Sequence, residues 1–159
     1  MRDSASQLVP AGFHPTLITT YDTPALECAL WVRYEISPAF IVDRFQLSQL
    51  HAEGRLGSPP SSYASSLRIL GERDLEAPVG RTEESIVILK LSSGGKGNGK
   101  ERETGTVILP LHMRYQTPVL ERWDNQGVRK DLLDVGLREP MLFWACSGTL
   151  LARWEDDKS

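Results

Sequence analysis

Residues 108–118 read Ile108-Leu-Pro-Leu-His-Met-Arg-Tyr-Gln-Thr-Pro118, a run with the apolar content of a strand that also carries two prolines, a histidine and an arginine. In an extended chain successive side chains point to opposite faces. Leu109, Leu111, Met113 and Tyr115 then share one face, and Pro110, His112, Arg114 and Gln116 share the other. Proline cannot donate to a central ladder, so Pro110 places the run at a sheet edge or a bulge. The stretch predicts a strand with one core-facing side and leaves the role of its polar side to be found.

Outward from it, the pattern is one of short strands. Thr16 to Tyr21 and Leu26 to Ile36 both read as strands, the second with Leu26, Cys28, Leu30, Val32, Tyr34 and Ile36 on one face. Phe40 to Val42 is a short apolar run. Asp43, with Gln46 three residues on, resembles a helix-opening cap for a short helix through about Ala52, which Gly54 would stop. Residues 57–62 form a loop, Leu67 to Leu70 a further strand, and Ser85 to Leu91 a continuous apolar run of strand length. The Gly-rich, charged segment Ser92 to Gly105 then joins that run to the 108–118 stretch, as in a hairpin with a long flexible loop. Apolar runs recur at Met141 to Cys146 and Thr149 to Trp154, without a long helical period or a repeat. The fold class is therefore all-β: an antiparallel β-sandwich with one short helix and a long flexible hairpin loop. One domain is expected over residues 12–154, between a flexible N-terminal segment, 1–11, and a short tail, 155–159.

A chain of 159 residues can bury one real core and is short for two. The formal charge of -3, with no basic run, argues against nucleic acid as a partner, because phosphate binding needs concentrated Lys and Arg. The N-terminus has no apolar signal-like core, and no stretch approaches the roughly 18 apolar residues of a spanning helix, so the composition taken literally is that of a soluble domain. The two cysteines, Cys28 and Cys146, fit one disulfide or two buried thiols.

Candidate chemistry is sparse. Gly94-Gly-Lys-Gly-Asn-Gly99-Lys100 matches the first seven positions of a phosphate-binding loop, but Glu101 stands where Ser or Thr would hold magnesium. The following chain also runs into a strand and not a helix whose N-terminus could face phosphates. His14, His51 and His112 show no close metal-ligand spacing, which argues against zinc. Asp74 and Glu76 stand at strand spacing, as an acid/base pair would, although a solvated face is the commoner arrangement. The four tryptophans, Trp31, Trp123, Trp144 and Trp154, could line a glycan or peptide surface, but such rings usually serve packing. For the polar face of the opening stretch, the residues suggest that Arg114 anchors backbone carbonyls or a carboxylate, with His112 hydrogen-bonded beside it.

The ordered set Gly12-Phe13-His14, Cys28, Tyr34-x-Ile36-x-Pro38, Phe40-x-Val42-Asp43, Asp74-Leu-Glu-Ala-Pro78 and Leu109-Pro-Leu-His-x-Arg-Tyr-Gln-x-Pro118 resembles the PIG-X family, the accessory subunit of glycosylphosphatidylinositol (GPI) mannosyltransferase I in the endoplasmic reticulum. The resemblance covers about Gly12 to Cys146. It implies a non-catalytic lumenal domain without cofactor or metal, partnered by a PIG-M-type catalytic subunit. It further implies that Pro110, His112, Arg114, Tyr115, Pro118, Asp74 and Glu76 are structural or partner-binding and not catalytic. Relatives look like type I membrane proteins with a C-terminal spanning helix, whereas this chain ends at Ser159 without one, so a lumenal fragment or a truncated gene model is expected. Arg44-Phe45 also departs from the proline and aromatic often seen there, a change expected to alter only a turn. Against this stand two rival readings: a soluble module binding glycans or unfolded chains through exposed aromatics, and an enzyme built on Asp74/Glu76 and His112/Arg114.

Overall fold

A computed structural model describes residues 4–22, 28–57, 62–71, 76–93, 104–115 and 136–146. In chain order the elements are β1 (Ser4–Val9), β2 (Thr16–Asp22), β3 (Cys28–Ile36), β4 (Phe40–Ile41), α1 (Arg44–Ala52), β5 (Ser62–Leu70), β6 (Ser85–Ser93), β7 (Thr104–Pro110), β8 (His112–Met113) and β9 (Met141–Cys146), with a 3-10 turn at Val79–Arg81. Three sheets result: β1-β2-β7, β5-β6-β3-β9, and the small pair β4-β8. Every strand pairing among the described residues is antiparallel. The all-β architecture with one helix is the one expected.

The alternation of side chains builds the core. Leu30, Val32 and Tyr34 of β3 stand opposite Leu91, Leu89 and Val87 of β6, and all six are buried. In the other large sheet Leu17 faces Leu109, and Thr19 faces Val107, again all buried. These inner rows belong to one apolar cluster, so the two large sheets pack face to face. Each fully buried Val or Leu contributes about 1.5–3 kcal/mol by leaving water. Burial also pushes the Tyr34 phenol above its ordinary range, and the ring sits in the core as a neutral group. Gly105, opposite Tyr21, leaves room for that ring: a Cβ there would fall well inside contact distance of it.

The helix forms as its sequence dictates. Asp43 caps it, its Oδ1 accepting from the backbone N–H of Phe45 at 2.9 Å and of Gln46 at 3.1 Å. Leu47 is its fully buried anchor, and Gly54, at φ 66°, takes the left-handed conformation that ends it. The chain then turns so that Leu56 is buried and its carbonyl accepts from Ile108 N–H of β7 at 3.1 Å.

Several expectations are corrected. The segment 1–11 was expected to be flexible, yet Ser4–Val9 is an edge strand in register with all of β2 up to Tyr21. Its polar sequence hides this, because the backbone of β2 and the Ser6–Thr19 hydroxyl contact at 3.1 Å hold it, with Leu8 alone packing against the core. Residues 92–105 do not close a hairpin: β6 and β7 lie in different sheets, so the segment crosses between them. The opening stretch is not one strand either, since it breaks at Leu111 between β7 and β8. Trp31 and Trp144 lie on opposite faces of one sheet and form no common surface, Trp31 stacking on Phe143 outside while Trp144 packs toward the core. Trp123, Trp154, the Gly94–Lys100 loop and the 149–154 run lie outside the described residues.

Candidate functional site: a polar clasp at one end of the sandwich

The break at Leu111 begins the site. Pro110 has no N–H to extend the ladder, and the chain beyond it slips between two other segments. On one side Leu111 N–H donates to Pro15 C=O at 2.9 Å and Met113 N–H to Phe13 C=O at 2.8 Å. On the other, β8 pairs with β4, and Arg114 N–H donates to Ala39 C=O at 2.8 Å. Residues 111–114 are thereby stitched on both sides.

The change of partner reverses the burial pattern. Leu109 and Leu111 face the core as expected, but Tyr115 is 85% exposed and Arg114 only 5% exposed. Tyr115 was expected to face the core, and it does not. The buried guanidinium of Arg114 reaches residues 76–78 and donates from Nη1 to Ala77 C=O. From the sequence, Arg114 was expected to anchor backbone carbonyls or a carboxylate; the Ala77 carbonyl is one group that it meets. A planar, permanently charged fork of donors suits it, because a buried carbonyl left unmatched is costly. Glu76, adjoining, is exposed. Asp74 and Pro118 lie outside the described residues, and with Asp74 any pairing of the two carboxylates.

His112 makes two side-chain contacts. Its Nε2 lies 3.0 Å from Gln46 Oε1 on α1, and its Nδ1 lies 2.8 Å from His14 Nδ1. The two rings meet edge-on, at 85° with centroids 4.8 Å apart. An amide oxygen only accepts, so His112 Nε2–H donates to Gln46; the unprotonated Nδ1 of neutral His112 then accepts from His14 Nδ1–H. Gln46 had been read as the partner of the Asp43 cap. Its side chain instead crosses to β8, and that contact could not be read from spacing. Beside the histidines, the rings of Phe13 and Tyr115 lie 6.4 Å apart, and Phe13 is 65% exposed. Phe13 was visible only as part of a motif with no assigned role, and His14 besides only as one of three histidines without metal-ligand spacing.

Four segments far apart in sequence, 12–15, 39–46, 76–78 and 109–115, thus close on one another. Their polar side chains are committed to holding backbone and one another, and two large aromatic rings are left facing outward. Cys28 is remote from them. It begins β3, whose far end, Ile36, lies roughly 26 Å away along the extended strand. The backbone register sets Cys28 directly opposite Cys146. Among the described residues no group of three or more His, Cys, Asp or Glu is placed to hold a metal ion, and no helix is long and apolar enough to cross a membrane.

Comparison with known proteins places the chain among fungal relatives. A Protein pbn1 of Schizosaccharomyces pombe is 28% identical over 144 residues, covering 87% of this chain and 39% of its own length. A Protein pbn1 of Aspergillus fumigatus is 30% identical over 149 residues, covering 87% of this chain and 28% of its own. A Protein PBN1 of Gibberella zeae is 28% identical and covers 90% and 28% respectively. The chain thus spans only about a quarter to two-fifths of the curated relatives it matches. No solved structure matches. The family model for PIG-X / PBN1 matches residues 10–154, which include every segment of the clasp and every strand named above but β1, and the chain belongs to that family.

Proposed function

We propose that the chain is the lumenal β-sandwich of a non-catalytic accessory subunit that stabilises the catalytic subunit of GPI mannosyltransferase I. In this role it supports addition of the first mannose in GPI-anchor biosynthesis at the endoplasmic reticulum membrane, with a PIG-M-type subunit as partner. Family membership supplies the pathway, and one observation carries the accessory role: Arg114 and His112 of the motif that gives the resemblance are engaged in holding backbone and helix, while Phe13 and Tyr115 of the same motif are exposed. Large exposed aromatics at a rigid site are the usual anchors of a protein interface. An oxidising lumen would also close Cys28 and Cys146, opposed across β3 and β9, into a disulfide.

The test replaces both rings. Phe13→Ser with Tyr115→Ser is expected to leave the melting temperature nearly unchanged while lowering both co-purification of the transferase from solubilised membranes and first-mannose addition in cells. The purified chain alone is expected to transfer no mannose from dolichol-phosphate mannose to a GPI acceptor. Turnover by the isolated chain would overturn the reading. Retention of a glycan or unfolded peptide by the two rings, with no effect on the transferase, would replace it with that of a binding module.

A further inference from the structure

We infer that His14 and His112 form a two-histidine site for a first-row divalent cation of the zinc, nickel or copper class. Two imidazole Nδ1 atoms from residues 98 positions apart meet at 2.8 Å on a solvent-accessible face of the clasp. Imidazole nitrogen is the ligand type that this class of metal takes, in preference to magnesium or calcium. His112 is also oriented as metal-ligating histidines are: its far nitrogen donates to Gln46 Oε1 at 3.0 Å, which fixes the tautomer and aims the Nδ1 lone pair toward His14.

Binding asks little of the structure. Two nitrogens on a tetrahedral zinc stand roughly 3.3 Å apart, from zinc–nitrogen distances near 2.05 Å. The nitrogens must therefore separate by about half an ångström from the contact observed, and each ring must turn so that its lone pair leaves the line between the nitrogens and points at the ion, a movement open to side chains on an accessible surface. The proton now between the nitrogens leaves Nδ1 of His14 and is carried to its own Nε2 by solvent, or is released if His14 is cationic. The cation takes its place, with water completing the coordination. The third histidine, His51, takes no part: it lies in the last turn of α1. Because the two ligands come from the β1–β2 connection and from β8, a bound ion would cross-link the same segments that the Leu111 and Met113 backbone bonds already join.

The experiment uses the 159-residue chain, freed of metal by chelator and dialysis, with zinc chloride alone as probe. Titration calorimetry is expected to give one zinc per chain, and saturating zinc a rise of several degrees in melting temperature. Both effects are expected to vanish in His14→Ala and in His112→Ala and to persist in His51→Ala. Should the alanine variants fail to fold, substoichiometric Cu2+ added to the unaltered chain is expected to broaden the imidazole proton resonances of His14 and His112 and to leave those of His51 sharp. No stoichiometric binding would overturn the inference, as would binding that survives loss of either histidine or broadening centred on His51. The histidine pair would then be a proton-sharing contact only.

Discussion

The two ends of the opening stretch are held by different physics. Leu109, in β7, is one of many apolar side chains that face a partner across the sandwich, and its burial is non-directional: any side chain of the right volume at that register would do much the same. Arg114, five residues on, is as well buried, but it is held by directed bonds to two particular carbonyls, those of Ala39 and Ala77. The core therefore sets how stable the domain is, and the clasp sets where four loops sit and which rings face outward.

Breaking the apolar side should have the largest effect. Leu89, fully buried opposite Val32 on β3 and Leu67 on β5, is expected to cost about 2–5 kcal/mol on change to Ala, lowering the urea midpoint of the whole domain. Next comes the covalent tie. If Cys28 and Cys146 are joined, mass spectrometry of unreduced, alkylated protein will find neither thiol modified, and Cys28→Ser should remove about 2–4 kcal/mol. Alkylation of both would refute the link.

The clasp offers the sharper contrast. Arg114→Lys keeps the charge and loses the fork, so it is expected to cost about 1–3 kcal/mol, read by equilibrium unfolding. An unchanged unfolding curve with weakened transferase co-purification would reverse the assignment and make Arg114 a partner-facing residue.

The smallest effect belongs to the exposed charges. The Arg138 guanidinium, bonded to Glu35 at 2.6 Å, holds the Glu35 carboxyl below its usual range, with Arg33 adding to the effect. A lowered folded-state value favours the ionised form, so this contribution is complete above the unfolded glutamate value of about 4.3 and is lost as pH falls through the folded one. Arg138→Ala should therefore lower the melting temperature slightly at neutral pH and not at all in strong acid, and added salt should shrink the difference. An equal loss at both pH values would mean that Arg138 acts by packing.

Much of the framework was legible before the structure. The alternation in β2, β3 and β6, the Asp43 cap and the Gly54 stop are local signals, each complete within a few residues, and the chain follows all of them. The role of Arg114 as a backbone anchor could also be reasoned out, because an arginine beside core leucines needs acceptors. What failed were statements about partners. β1 offers the core only Leu8, too little to mark a strand in the sequence, and it pairs because β2 presents an edge to it. The 92–105 segment looks like a hairpin loop because nothing local says that β6 will pair with β3 and β5 while β7 pairs with β2. Tyr115 was assigned to the core by extending a two-residue period past Leu111, where the chain changes neighbours and the period no longer applies.

The sequence alone determined that β2, β3 and β6 are strands, where the helix starts and stops, and which family the chain resembles, since all of these rest on the order of residues along the chain. Only the tertiary structure decided which strands share a sheet, that His14 meets His112, that Gln46 turns from its cap to β8, and that Phe13 and Tyr115 lie side by side outside. Those are contacts between residues dozens of positions apart. They are fixed by the geometry of two packed sheets and by the pairing of buried backbone donors and acceptors with partners from distant segments, and neither condition is written in any local stretch of chain.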